Sequence, residues 1–221
     1  MEFDTLIKGR FSCRAFLDTP VAHDTVRKIL DTARWAPSST NMQPWQVAVV
    51  EGDTLQRIGA AMIAAREQGG AENPDYAYYP EEWFEPYKGR RKATGLALYG
   101  ALGIGKEDKD RRMQAWYNNY RLFGAPVGLM IFLDRRLGEA SLIDIGIFIQ
   151  SLVLAARDQG LDTCIEASLG EFPDIVREAL GMDTEMTLAC GIALGYGDQD
   201  AAVNNYRTPR EDVDSFTRWY D

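Results

Sequence analysis

Residues 141–159 read SLIDIGIFIQSLVLAARDQ, and apolar side chains dominate the first two-thirds of this stretch. We predict a helix that Ser141 caps, that runs to about Gln159 and that Gly160 ends. Its apolar side chains cover nearly every face, so the helix must be buried all round. It therefore lies either at the centre of a domain or in an interface between subunits.

The elements on either side of this helix follow no regular strand–helix–strand repeat. We predict helices at residues 23–34, where apolar side chains recur at helical spacing, and at residues 55–68, 92–102, 108–120, 173–180 and 213–219. Apolar runs rich in β-branched residues predict strands at residues 45–50, 126–133, 162–165 and 186–194. An irregular mixture of this kind is typical of the α+β class with a mixed sheet.

The composition narrows the possible partners and compartments. The chain of 221 residues shows no break in composition, so we expect one domain spanning 1–221. Its net charge of −9 disfavours nucleic acid and anionic membranes as partners. No apolar run reaches the length of a membrane span, and the acidic start argues against a secretory signal. Three widely spaced cysteines make no disulfide framework, which predicts a reducing compartment, the cytoplasm.

Few residues could perform chemistry without a cofactor. With His23 as its one histidine, the chain is a poor candidate for a zinc enzyme or a Ser-His-Asp hydrolase, and we expect no metal site. Cys164 and Cys190 lie in apolar runs and are interpreted as small buried residues. The glycines of 100–105 and 191–197 do not match a dinucleotide-binding loop and are interpreted as turns. The chemistry must then come from carboxylates or from a bound cofactor.

Arginines recur in boundary segments that also carry hydroxyl and amide groups. They lie in residues 10–14 and 206–210, and a polar loop at 37–41 has the same character. The planar donors of arginine suit phosphate, so these segments could form one anion site in an acidic chain. From the residues alone, surface ion pairs are the alternative.

Residues 69–123 form a long excursion between two predicted core elements. Its first part is rich in tyrosine, tryptophan and proline, and helical segments follow. Long excursions of this kind are often lids over a binding site. A contact surface between subunits is the alternative.

Three separated motifs resemble the FMN-dependent nitroreductase family, in particular its nitrobenzoate reductase-like branch. They are RFSCRAF at residues 10–16, APSSTNMQPW at 36–45, and GIALGY at 191–196 followed by NYRTPR at 205–210. The likeness extends over nearly the whole chain. It implies a nitroreductase-like α+β fold, in which a mixed, largely antiparallel sheet is flanked by helices, and an intertwined homodimer.

The resemblance also implies cofactor-binding residues at the matching positions. Arg10 and Arg207 would hold the FMN phosphate with help from Ser12, and Arg14 would reach the N1/O2 edge of the flavin ring. The partner subunit would supply the polar loop, and the segment after the third strand would face flavin N5. The full set is Arg10, Phe11, Ser12, Arg14, Pro37, Ser38, Ser39, Asn41, Gln43, Glu166, Ala167, Ser168 and Arg207.

Two positions depart from the pattern of the family. Many relatives have glycine where Ala167 stands, and the most similar branch commonly has glutamine in place of Glu166. A carboxylate pointing at N5 would disfavour negative charge on the reduced ring. Either the Glu166 side chain faces away from the flavin, or the redox potential is lowered.

The activity implied is a ping-pong reaction at flavin N5. NADH or NADPH would deliver hydride, and a small aromatic acceptor, a nitroaromatic or a quinone, would then be reduced in the same pocket. No side-chain acid or base is required for this chemistry. The alternatives are reductive dehalogenation, enone reduction or fragmentation of the flavin on the same fold, or a non-catalytic flavin-binding protein.

Overall fold

A computed structural model describes residues 2–220, and a four-stranded sheet forms its centre. The strands are β1 (Gln46–Glu51), β2 (Val127–Asp134), β3 (Asp162–Glu166) and β4 (Met186–Gly195). Their order is β1-β2-β4-β3, and each neighbouring pair is antiparallel. The α+β class and the largely antiparallel sheet are confirmed. The parallel pairing that would make the sheet mixed is limited to one bridge, between Ser12 and Thr163.

Eight helices surround the sheet in the described part of the chain. They are α1 (Phe3–Gly9), α2 (His23–Ala33), α3 (Gly52–Glu67), α4 (Tyr87–Ala101), α5 (Lys109–Tyr117), α6 (Ser141–Asp158), α7 (Pro173–Leu180) and α8 (Val213–Phe216). Four predicted bounds are wrong by three residues or more: α3 and α4 begin before residues 55 and 92, and α5 and α8 end before residues 120 and 219. Within residues 2–220, no helix has the length and apolar character needed to cross a membrane.

The two central strands are buried on both faces, which explains their continuous apolar sequences. Alternate β2 residues Leu129, Ile131 and Leu133 join the cluster that contains α2 and α6. Met130 and Phe132 point to the other face and join α3, α7 and the end of the excursion. Cys164 and Cys190 are buried, as the sequence predicted.

The start and the faces of α6 differ from the sequence prediction. Ala140 occupies the N-cap position and the Ser141 hydroxyl donates to the Leu137 carbonyl oxygen at 3.3 Å, so Ser141 is not the cap. One side of the helix packs on the sheet, but Ile143 is 69% exposed and Ile147 38% exposed. Burial all round is therefore not achieved within one chain, and an apolar strip remains uncovered.

Two glycines of 191–197 were wrongly assigned to a turn. Gly191 and Gly195 lie inside β4, where side chains from other segments approach the backbone closely. A Cβ atom at Gly191 would lie 2.8 Å from Leu169 Cδ1, and one at Gly195 would lie 2.7 Å from Pro126 Cδ. Glycine is needed here for space, since neither residue has a left-handed φ.

The excursion of residues 69–123 is fastened to the sheet at both ends. Near its start, Asp75 accepts hydrogen bonds from Arg177 at 2.6 Å and from the Leu188 amide at 2.9 Å. Near its end, Tyr117 and Tyr120 are almost fully buried in the core. Between these anchors, α4 has no buried residue. The middle of the excursion therefore lies on the molecular surface, where α4 contacts residues 202–204.

Candidate functional site

The first motif forms an extended segment beside β3. The Cys13 amide donates to the Thr163 carbonyl oxygen at 2.9 Å, and this pairing keeps residues 10–14 extended. Side chains of an extended chain alternate between two faces. Phe11 and Cys13 are buried accordingly, while Arg10, Ser12 and Arg14 are partly exposed and line one cleft.

The side chain of Asn204, 1% exposed, brings the last motif to the first. Its Oδ1 accepts from the Arg14 amide at 2.8 Å, and its Nδ2 donates to the Ala15 and Asp198 carbonyl oxygens at 2.8 Å. The resulting cleft has a volume of about 600 Å³. Its lining residues are Ile7, Lys8, Arg10, Phe11, Ser12, Arg14, Thr94, Tyr206, Arg207, Thr208, Pro209 and Arg210.

Four arginines of this cleft have no carboxylate within ion-pair distance in residues 2–220: Arg10, Arg14, Arg207 and Arg210. Arg14 donates to the Tyr206 hydroxyl at 3.1 Å, and Arg207 lies 4.0 Å from the ring centroid of Phe11. Burial lowers the pKa of Arg10, and the nearby positive charge of Arg210 lowers it further. The surface ion-pair alternative is therefore wrong for these four residues, and their guanidinium groups supply the donors that an anion with several oxygens requires.

Arg14 also belongs to a second cavity of about 590 Å³ and so connects the two spaces. The floor of the second cavity is the segment after β3, residues 165–168, and the start of the excursion, residues 76–79, lines another side. The Tyr76 hydroxyl donates to the Ala189 carbonyl oxygen at 2.6 Å, which fastens this part of the excursion to β4. The two spaces thus meet at Arg14, one lined by several arginines and the other by tyrosines and Trp116.

Glu166 lies at the floor of the second cavity, and its side chain is held inside the protein. The Cys164 thiol donates to Oε1 at 2.9 Å, and the Ser168 hydroxyl donates to Oε2 at 3.2 Å. Burial raises the pKa of Glu166 to about 7, against the opposing influence of these hydrogen bonds and of the Arg14 charge. Both carboxyl oxygens already have partners, so this arrangement favours a side chain that does not point at the ligand.

A network of hydrogen bonds and ring contacts around Arg66 holds both ends of the excursion beside the second cavity. Arg66 donates to Glu72 at 2.6 Å and also binds Glu171, while its guanidinium lies 4.9 Å from the ring centroid of Trp116. The Tyr120 hydroxyl donates to the same Glu171 carboxylate. These contacts join α3, the excursion and the segment after β3 around one cation, and they hold Trp116 at the wall of the second cavity.

The polar loop of the second motif lies apart from both cavities in this chain. The Ser39 amide donates to Asp144 on α6 at 3.2 Å, and the Gln43 amide donates to the Ser38 hydroxyl at 2.9 Å. Asn41 and Gln43 have left-handed φ values of 58° and 50°. Most of the loop is exposed, and Pro37, Ser38, Ser39, Asn41 and Gln43 do not meet the arginines.

The structure adds residues that the sequence reasoning did not select. Arg210 belongs to the last motif, but only its place in the structure shows that it lines the same cleft as Arg10. Tyr206 and Asn204 were not identified as site residues either. Their contacts to Arg14 join positions about 190 residues apart, so no local pattern reveals them.

Comparisons with known proteins find relatives of one family over nearly the whole chain. A family model described as the Nitroreductase family matches residues 7–196. The chain is 36% identical over 218 residues to a 4-nitrobenzoate reductase of Pseudomonas putida, covering 99% of this chain and 95% of the relative. It is 40% identical over 215 residues to a 4-nitrobenzoate reductase of Nocardioides sp. (strain LMS-CY), covering 96% and 87%.

A solved structure has nearly the same fold. The crystal structure of the FMN and NADPH-dependent nitroreductase NfnB from Sphigopyxis sp. strain HMH superposes with a TM-score of 0.95 at 35% identity, covering all of both chains. Sequence and structure comparisons therefore identify the same family over almost the full chain.

Replacing Glu166 with glutamine should change how the stability of the FMN-free protein depends on pH. The raised pKa means that the folded state keeps its proton between about pH 4.5 and 7, whereas the unfolded chain loses it. The wild-type protein should therefore lose up to about 3 kcal/mol of unfolding free energy across this interval relative to Glu166→Gln. Urea unfolding at pH 4 to 8 measures the difference.

The control is Glu178→Gln, which changes an exposed carboxylate on α7. Its pH profile should run parallel to that of the wild-type protein. A Glu166→Gln profile that also runs parallel would contradict the burial of an ionisable carboxyl at this position.

Proposed function

The chain belongs to the nitroreductase family, and we infer that it is an FMN-dependent enzyme that uses NAD(P)H to reduce nitroaromatic compounds. The observation that carries this function is the cleft with four arginines that have no carboxylate partner within residues 2–220, joined through Arg14 to a cavity with aromatic walls. Both 4-nitrobenzoate reductases match this chain over most of their length. This similarity favours nitro reduction over dehalogenation, enone reduction and flavin fragmentation. Reduction of quinones stays a prediction.

The residues present fit FMN. We propose that Arg10, Arg207 and Arg210 hold the phosphate, with Ser12 as a further donor, because these groups face one cleft and the arginines have no carboxylate partner among the described residues. Phe11 supports this site by stacking against Arg207. FMN supplies hydride acceptance and donation when it is bound.

Arg14 lines both the arginine cleft and the second cavity, so it lies where the two spaces meet. Its side chain is held by Tyr206 and its backbone by Asn204, so the charge is fixed in position. We propose that this fixed charge favours added negative charge on a ring bound beside it. Glu166, Ala167 and Ser168 form the floor beneath that ring.

We propose that residues 69–123 act as a cover for the second cavity. Tyr76, Tyr78 and Trp116 provide aromatic walls against which a flat nitroaromatic ring can stack. The same walls exclude water from the reacting face, which strengthens electrostatic contacts there. Since one cavity must serve both the nicotinamide and the acceptor, the two substrates enter in turn, as in a ping-pong cycle.

We propose that the working enzyme is a homodimer. Ile143 and Ile147 leave an apolar strip uncovered on α6, and a second copy of the chain would bury it. The loop of residues 37–43 is fixed to this same helix through Asp144, beside Ile143. Dimer formation over the strip would therefore carry Pro37, Ser38, Ser39, Asn41 and Gln43 towards the partner, where they would complete its flavin site.

We also propose the cytoplasm as the compartment. The three cysteines are free thiols in the described chain, each of them buried. Free thiols are typical of proteins in reducing compartments.

The proposed function predicts a coloured protein with two separable half-reactions. Anaerobic addition of NADH or NADPH should bleach the flavin absorbance, and addition of 4-nitrobenzoate should then restore it. Stopped-flow absorbance measures both steps. A protein that binds no FMN would contradict the enzyme assignment, whereas bleaching without return by any acceptor would identify a non-catalytic flavin protein.

A charged residue on the apolar strip of α6, formed by Ile143 and Ile147, should both separate the subunits and weaken FMN binding. Ile143→Glu would bury a carboxylate in the proposed interface, at a cost large enough to disfavour association. Light scattering coupled to size exclusion should show the monomer mass, and flavin content should fall. Leu137→Glu, at a residue exposed outside α6, is the control and should leave both unchanged. A dimeric, flavin-loaded Ile143→Glu protein would contradict the interface.

A further inference from the structure

Arg91 lies on the excursion and lines the second cavity together with Tyr79 and Trp116. Its guanidinium lies 5.0 Å from the ring centroid of Trp83, so an aromatic surface supports it from one side. Burial raises the pKa of the Tyr79 hydroxyl, and the positive charge of Arg91 acts in the opposite direction. The guanidinium charge is therefore close enough to the cavity wall to affect the ionisation of Tyr79.

The other charged groups of this cavity are already engaged. Glu72 and Glu171 are both bound by Arg66, and Glu166 accepts from Cys164 and Ser168. Arg14, the other cation of the wall, donates to Tyr206 and borders the phosphate cleft.

The charge of Arg91 has no such partner. In the part of the chain that the structure describes, no carboxylate lies within 4.0 Å of it. The preceding residue on α4, Arg90, differs in this respect: it pairs with Glu211 at 3.0 Å and does not line the cavity. Arg91 is therefore a cation at the rim of an aromatic cavity with its hydrogen-bonding groups available.

We propose that Arg91 binds the carboxylate of the aromatic acceptor and makes the enzyme prefer anionic nitroaromatics such as 4-nitrobenzoate over neutral ones. This assignment rests on the proposed function, because it concerns the second substrate of that reaction. The planar guanidinium matches a carboxylate through two parallel hydrogen bonds. Its contact with Trp83 restricts its motion before binding, which reduces the entropy lost when the acceptor arrives.

The 2′-phosphate of NADPH is another anion that an arginine can bind, and the size of the cavity favours the acceptor. A nitrobenzoate ring with its carboxylate is small enough for a space of about 590 Å³, even with one face of the proposed flavin as its floor. The 2′-phosphate belongs to the adenosine half of NADPH and is separated from the nicotinamide by the pyrophosphate bridge. It would lie outside the aromatic cavity whose rim carries Arg91.

The test compares an acid with its neutral ester in the FMN-loaded enzyme. The variants are Arg91→Ala, Arg91→Lys and the matched control Arg90→Ala, which removes the same charge from the adjacent position. Steady-state kcat and KM are measured for 4-nitrobenzoate and for methyl 4-nitrobenzoate. Arg91→Ala should raise KM for the acid about tenfold or more and change KM for the ester less than about twofold.

The remaining variants sharpen this expectation. Arg91→Lys keeps the charge without the planar donors, so its KM for the acid should lie between the wild-type and alanine values. Arg90→Ala should match the wild-type enzyme for both acceptors. Equal losses for acid and ester in Arg91→Ala would overturn the proposal, since they would indicate packing rather than charge. A change confined to the KM of NADPH, with NADH and the acid unaffected, would assign Arg91 to the phosphate and would also overturn it.

Binding of benzoate provides a readout that needs no turnover. Benzoate, which cannot be reduced, is titrated into the oxidised holoenzyme while the flavin absorbance is followed. Its Kd should rise about tenfold in Arg91→Ala and stay unchanged in Arg90→Ala. An unchanged Kd in Arg91→Ala would contradict carboxylate binding. If the wild-type enzyme reduced neither acceptor, the proposed function would fail, and this titration would still decide the role of Arg91.

Discussion

The buried side-chain amide of Asn204 is the contact on which the site depends, because it joins two segments far apart in the sequence. It accepts from the backbone of Arg14 and donates to the carbonyl oxygens of Ala15 and Asp198, so three backbone groups are satisfied by one side chain. A buried polar group left without a partner costs about 1–3 kcal/mol. This amide therefore fixes the first motif against the last and makes one cleft from both ends of the chain.

The electrostatic character of the cleft follows from that junction. The chain carries a net charge of −9, yet four arginines line one cleft with no carboxylate partner among residues 2–220. Burial of Arg10 and the nearby charge of Arg210 are unfavourable for the Arg10 cation until an anion binds. The same cations then stabilise the anion strongly, since charge-assisted hydrogen bonds are about twice as strong as neutral ones. Arg14 extends this field to the aromatic cavity, and Arg91 places a further cation at the cavity rim.

The sequence predicts local features well where one physical cause dominates. Helix α7 has the predicted bounds, with Pro173 at its first position and Gly181 in the left-handed conformation after its end. Strands β2 and β4 are continuous apolar runs because both of their faces are covered. The start of α4 could not be predicted, since this helix buries no residue and so has no apolar periodicity. The glycines of β4 were assigned to a turn because their close neighbours, Leu169 and Pro126, are distant in sequence.

For the site, too, the sequence predicts what lies within one motif and misses what depends on contacts between distant segments. The motifs containing Arg10 and Arg207 are recognisable in the sequence as a family resemblance. Residues far away in the sequence decide whether these arginines pair with carboxylates. The sequence alone therefore could not choose between an anion site and surface ion pairs. The structure answers it for the described chain, and it also places Arg210 in the cleft.

The most direct test of the account compares FMN with riboflavin, which lacks only the phosphate. Apo-protein is titrated with each ligand, and quenching of flavin fluorescence gives the two Kd values. Loss of at least two charge-assisted hydrogen bonds predicts that riboflavin binds at least about 100-fold more weakly than FMN, with one FMN per chain at saturation. Similar affinities for the two flavins would contradict the assignment of the arginine cleft to a phosphate.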